Sequence, residues 1–167
     1  KWIGSKISGS SHEGNISITE GKISVNHGNI VDAEFTVDLN TMTCTDLGEK
    51  KGGYLIDHLK NEDFFDVPNH PLAQLKLIKA EKIERGYNIT SALTIKDKTH
   101  PVNFDIQWTE RESTVLITGK LDFNRTKYDI TYGSGSFFDD LGDKAINDAI
   151  VLEFRIIANL EGNGEHN

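Results

Sequence analysis

The feature that most constrains this chain is an alternation of apolar and polar residues with a period of two, repeated along most of its length. In IVDAEFTVDLN, Val31, Ala33, Phe35, Val37 and Leu39 fall on one side, while Asp32, Glu34, Thr36 and Asp38 fall on the other. The pattern recurs at Tyr87, Ile89, Ser91, Leu93 and Ile95, and at Val102, Phe104, Ile106 and Trp108. It returns at Val115, Ile117, Gly119, Leu121 and Phe123, and again at Ile150, Leu152, Phe154 and Ile156. Successive side chains of a strand point to opposite faces, so each run is a strand with one apolar face. Many such strands in one chain predict antiparallel strands around a common interior. Shorter stretches near the start, WIGSKISG, EGNISITEG and KISVNHG, add up to three more, and AQLKLIKAEKI adds another.

The turns agree with this reading. His27-Gly28-Asn29, Arg85-Gly86 and Lys96-Asp97-Lys98 lie between consecutive runs at hairpin spacing. About eight strands in near-sequential hairpins predict a closed up-and-down barrel, with a two-sheet sandwich as the alternative. Several runs are about ten residues long against a usual five or six. At ~3.3 Å per residue the wall stands about 30 Å tall along a strand, which makes a deep container.

Two segments break the alternation. Residues 52–66 open on Gly52-Gly53 and then place Tyr54, Leu55, His58 and Leu59 at helical spacing, which predicts a short amphipathic helix ending near Asp63. Residues 133–146, GSGSFFDDLGDKAI, form a long glycine-rich connection carrying a second aromatic pair, Phe137-Phe138. The whole is read as a single domain over residues 1–158, followed by a polar, frayed tail over 159–167.

Composition narrows the function classes. A formal net charge of −8 with singly scattered lysines argues against nucleic acid, whose phosphates call for clustered Lys and Arg. No apolar run approaches the ~20 residues of a membrane-spanning helix. The lone Cys44 has no intramolecular disulfide partner and no neighbouring His or Cys that would activate it.

The run HLKNEDFFDVPNHPLAQLKL resembles the YceI-like family of polyisoprenoid-binding or lipid-binding domains through His58, Leu59, Asp63, Phe64, Phe65, Asp66 and Pro71. SALTIKDKTHPVNFDI and LDFNRTKYDI are similar to further parts of that family, so the resemblance spans almost the whole chain. It implies an extended eight-stranded, lipocalin-like antiparallel barrel, with a short helix between strands, that holds a long-chain isoprenoid or fatty-acid-like lipid. It also implies export, in many members to the bacterial periplasm. The sequence leaves open whether two copies pair as a homodimer.

On this reading the wall of the cavity is formed by the inward rows: Phe35, Val37 and Leu39; Leu75 and Leu77; Leu93; Phe104, Ile106 and Trp108; Leu121 and Phe123; and Leu152 and Phe154. Leu55, Leu59, Phe64, Phe65, Phe137 and Phe138 are expected to line or lid an opening. Arg125, at the end of an apolar strand, can fork onto a phosphate or carboxylate headgroup, or pair instead with Asp122 or Asp129. His58 is a second headgroup candidate. Gly133–Ser136 reads as a flexible connection or, less simply, as an anion-cradling nest.

The charged cluster around Phe64-Phe65 raises the question of chemistry. His58, Asp63, Asp66 and His70 lack the His-x-x-x-His spacing that sets two imidazoles on one helix face. No nucleophile or oxyanion loop stands beside them. No enzyme activity, cofactor or metal is therefore expected. The alternative function is a stress-related partner-binding or metal-binding barrel whose core is filled.

Overall fold

Each alternating run becomes a strand of one sheet. The computed structural model describes residues 1–161. It places β1 at Trp2–Ser5, β2 at Ser11–Asn26, β3 at Asn29–Cys44 and β4 at Leu72–Ile83. Strands β5 at Gly86–Ile95, β6 at Lys98–Arg111, β7 at Thr114–Asn124 and β8 at Ala149–Asn159 complete the set. Every strand pairs antiparallel with its neighbour in sequence, and β1 meets β8 through Trp2 opposite Leu152 and Ile3 opposite Val151. The barrel is closed and up-and-down; the sandwich alternative falls.

The hairpins explain the register. Asn26 faces Asn29 across His27 (φ 50°) and Gly28 (φ 77°), and Ile95 faces Lys98 across Lys96 (φ 52°) and Asp97 (φ 62°). Two central residues with positive φ give the turn whose twist matches that of the strands. These turns set the parity, and parity decides which row faces inward. The β2–β3, β4–β5 and β6–β7 turns lie at one end of the barrel. At the opposite end lie the helix α1 (Glu49–Lys60), the β5–β6 turn and the long β7–β8 connection.

Two details depart from the sequence reading. EGNISITEG and KISVNHG are one strand, because β2 runs unbroken through Gly21 with bulges between Asn15 and Ser17 and between Ile18 and Glu20. Gly21 sits opposite Phe35, and a Cβ there would lie 2.6 Å from that ring, so the glycine makes room for an aromatic rather than ending a strand. The helix begins at Glu49, three residues before the predicted start, and runs through Gly52-Gly53 to Lys60. Gly52 is buried beneath Cys44: an added Cβ would stand 3.4 Å from the Cys44 Cβ.

Beyond α1 the chain turns tightly under the barrel. The Phe65 N–H bonds to Leu59 O (3.0 Å), the Val67 N–H to Lys60 O (2.9 Å) and the Asp66 N–H to Asn61 O (2.9 Å). Asp66 has φ 47°, and this bend turns Phe64, Phe65 and Val67 inward, where all three are buried. They pack with Leu39, Met42, Ile95, Phe123, Tyr128 and Ile130 as the solid part of the core at the helix end. At the other terminus Asn159 still pairs with Thr114, and the Leu160 N–H reaches Ser113 O at 2.7 Å. Residues 162–167 of the expected tail lie outside the described residues.

Candidate functional site: an apolar cavity inside the barrel

The inward rows do not meet in the middle. They border a cavity of about 1810 Å³ that opens between β2 and β8. Phe35, Val37 and Leu39 border it from β3, Leu75 and Leu77 from β4, and Leu93 from β5. Phe104, Ile106 and Trp108 border it from β6, Leu121 and Phe123 from β7, and Leu152 and Phe154 from β8. Leu59, Phe64 and Phe65 form its floor at the helix end. Two positions show how the interior is shaped by more than large side chains. A Cβ on Gly119 would lie 2.4 Å from Phe154 Cζ, so the missing side chain on β7 is what lets the Phe154 ring lie inward. Phe154 then meets Phe104 edge to face, with centroids 5.8 Å apart.

Further bordering residues lie on rows that the alternation already contained, among them Ile89, Ile117 and Ile156. Met42 was less legible. It follows Leu39 at a spacing of three, because the backbone is displaced at Asp38–Thr41: the Thr41 hydroxyl donates to Asp38 O (2.6 Å) and accepts from the Ser17 N–H (2.9 Å). Between Lys1 and the hairpin end, no backbone pairing joins β2 to β8 among the described residues, and residues of both faces of these strands border the cavity.

Four expected site residues stand elsewhere. Phe137 and Phe138 are 59% and 51% exposed and do not border the cavity, so they neither line nor lid it. The reason lies at the base of their loop. Ser134 is fully buried, and its hydroxyl donates to Asp148 Oδ1 (2.6 Å), while the Ser136 hydroxyl donates to Asp148 Oδ2 (2.7 Å). Gly133–Ser136 is thus a turn pinned to the chain's own Asp148 by two side-chain hydroxyls, and the aromatic pair beyond it is a solvent-facing turn. Leu55 is half-buried against the core but away from the cavity. His58 likewise stays outside, wedged edge-on between Phe64 (4.9 Å) and Tyr132 (4.7 Å), with Nε2 3.2 Å from Asp63 Oδ2. It braces the floor from below and cannot meet a ligand in the cavity.

Arg125 is 1% exposed and reaches the cavity's edge at the helix end. Its donors are turned onto backbone: Nε to Asn147 O (3.1 Å), one terminal nitrogen to Ile130 O (3.0 Å) and the other to Ile146 O (3.0 Å). Neither Asp122 nor Asp129 is its partner; the nearest carboxylate is Asp148, at 3.9 Å. Burial lowers the Arg125 pKa, and the Asp148 charge works against that lowering. Burial also pushes the Asp148 carboxyl up, but hydrogen bonds from Ser134 and Ser136 and the Arg125 charge hold it below its ordinary value. The arginine is a clamp that fastens the two ends of the β7–β8 connection to each other.

The remaining charged groups act locally. His70 lies 3.3 Å from Asp97 and 4.0 Å from Asp66, tying the turn after α1 to the β5–β6 hairpin. At the β2–β3 edge, Asp46 accepts from the Glu13 N–H (3.0 Å), pairs with His12 Nδ1 (2.9 Å) and receives the Cys44 thiol (3.3 Å). The backbone donor first, and then His12, hold its pKa at about 2. Among the described residues, no group of three or more His, Cys, Asp or Glu side chains is placed to hold a metal ion.

A closed, sequential eight-stranded barrel around a deep apolar cavity defines a lipocalin-like architecture. The YceI-like domain family model matches residues 3–158, and the chain belongs to that family. Among solved structures, the barrel is similar to Burkholderia cenocepacia BcnA, with a TM-score of 0.71 and 20% identity over 95% of this chain and 96% of that one. The Campylobacter jejuni YceI protein superposes with a TM-score of 0.66 at 14% identity, covering 89% of this chain and 85% of that chain. A polyisoprenoid binding domain from Saccharophagus degradans, implicated in plant cell wall breakdown, gives a TM-score of 0.63 at 10% identity over 96% and 92% of the two chains. At these identities the likeness is one of fold. No curated protein matches the sequence.

Proposed function

We propose that the protein binds a long-chain apolar ligand, a polyisoprenoid or a lipid of similar length, inside the barrel and carries or sequesters it without chemical change. The observation that supports this most directly is the cavity. Its volume of about 1810 Å³ exceeds the roughly 300–1,000 Å³ of ordinary small-molecule pockets. Its inward rows are Leu, Ile, Val, Phe and Trp, and polar residues such as Lys22, Gln74 and Arg155 also border it. Such a space favours extended hydrocarbon over a compact polar metabolite.

The energetics suit that role. Each buried methylene contributes about 0.8 kcal/mol, so ten carbons give about 8 kcal/mol gross. Association costs of roughly 4–15 kcal/mol offset much of this, so useful affinity requires a chain long enough to fill the cavity. Affinity rising with chain length is therefore the signature of this mode of binding. Family membership and the printed description of the Saccharophagus domain as polyisoprenoid-binding support the same ligand class. An exported, periplasmic setting belongs to the same proposal and is checked by fractionating cells that make the protein.

Titration tests the binding directly. Both tryptophans of the chain, Trp2 and Trp108, border the cavity. A long-chain ligand with a conjugated tail should quench their emission saturably and with one-to-one stoichiometry. Emission unchanged by isoprenoid and fatty-acid probes of every length tried would overturn the proposal.

A further inference from the structure

Strand β5 presents five side chains to the interior: Tyr87, Ile89, Ser91, Leu93 and Ile95. Four are large and apolar or bury most of their bulk. The middle one is a serine. Ser91 is 2% exposed, borders the cavity and is flanked across the sheet by Leu77 of β4 and Val102 of β6. Its hydroxyl makes no hydrogen bond among the described residues, whereas the buried Ser134 hydroxyl is bonded to Asp148. A strand serine can return its proton to a nearby carbonyl; this one does not. The hydroxyl faces the cavity rather than packed protein, so an oxygen on a bound chain can reach it.

Resting on the binding function proposed above, we infer that Ser91 is a polar anchor within the cavity. It selects long-chain ligands that carry an uncharged oxygen, a hydroxyl or a carbonyl, part-way along the chain. The position follows from register. Ser91 is the sixth of ten residues in β5, so at ~3.3 Å per residue it lies about 13–16 Å from either end of its strand. A terminal headgroup held at the barrel's rim does not reach it; a mid-chain substituent does. The oxygen is uncharged because the surroundings of Ser91 on both neighbouring strands are apolar, and an ion there would lose its hydration with no opposite charge to meet.

Paired probes test this: stearate and 12-hydroxystearate, differing by one mid-chain hydroxyl, titrated against the parent protein, Ser91→Ala and Ser91→Thr. The parent should bind the hydroxylated chain up to about tenfold more tightly than the plain one, the effect of one net hydrogen bond. Ser91→Ala should bind both chains alike, with its affinity for stearate kept, and Ser91→Thr, which retains the hydroxyl, should restore the preference. Equal affinities in the parent, or a preference that survives Ser91→Ala, would overturn the anchor while leaving the carrier function standing. Failure of the parent to bind either chain would remove both.

Discussion

Arg125 separates two accounts of the helix end of the barrel, and Arg125→Met distinguishes them. Methionine keeps an unbranched stem of similar reach but removes every donor. In the structure those donors satisfy the carbonyls of Asn147, Ile130 and Ile146. Each carbonyl left buried and unpaired costs about 1–3 kcal/mol. Relief of the buried guanidinium offsets part of the sum, because its counter-charge, Asp148, stands 3.9 Å away. The net effect falls in the range measured when one member of a buried charged network is removed, about 3–5 kcal/mol. For a domain of this size that lowers Tm by roughly 6–20 °C. Urea denaturation followed by tryptophan emission gives the free energy, and ligand titration at a temperature where both proteins are folded gives the affinity. The clamp predicts a large loss of stability with little change in affinity. Stability within about 0.5 kcal/mol of the parent, with affinity reduced tenfold or more, would refute it and make Arg125 a headgroup contact.

Three other perturbations follow from the same structure. Replacing Phe64 and Phe65 by alanine should destabilise by about 3 kcal/mol per ring, the low end of the usual range, because one side of each already faces the cavity; calorimetry and titration should show weaker long-chain binding, and no change in either would remove them from the floor. Gly119→Ala sets a Cβ 2.4 Å from Phe154 Cζ, so it should cost about 1–3 kcal/mol by overpacking and displace the ring, read as lower stability and reduced uptake of the longest chains. Asp46 has its folded pKa depressed from 3.8 to about 2, so its contribution is present above pH 3.8 and is lost as pH falls towards 2; Asp46→Asn should flatten the stability profile across that window, and an unaltered acid limb would show that the carboxylate does not matter there.

The fold was legible because one physical signal dominates it. Period-two runs such as Tyr87–Ile95 can bury only one face, and the turns at His27-Gly28 and Lys96-Asp97 fix which face that is. Where the signal failed, a second chain segment supplied the missing cause. Gly21 read as a break because the Phe35 ring that covers it lies on another strand. The helix starts earlier than Gly52-Gly53 suggests because Gly52 packs under Cys44 inside the helix and ends nothing. The site shows the same division. Wall residues follow from parity, and the rows at Phe104–Trp108 and Leu121–Phe123 were readable from it. Loop residues do not follow from parity. Phe137 and Phe138 look like a lid in one dimension, but Ser134 and Ser136 bind Asp148 and leave the pair facing solvent. Arg125 looks like a headgroup contact until the carbonyls of the β7–β8 connection surround it. Phe64 and Phe65 turn inward among charges because the hydrogen-bonded bend at Asp66 leaves Asp63 and its neighbours outside.

The proposed function requires that the cavity hold a long apolar chain. Native mass spectrometry of gently purified protein tests it most directly, with the same sample re-measured after organic extraction and after incubation with a polyisoprenoid. The expected result is a bound mass that extraction removes and incubation restores. A clean unliganded mass throughout, with no uptake of any long-chain lipid offered, would contradict it.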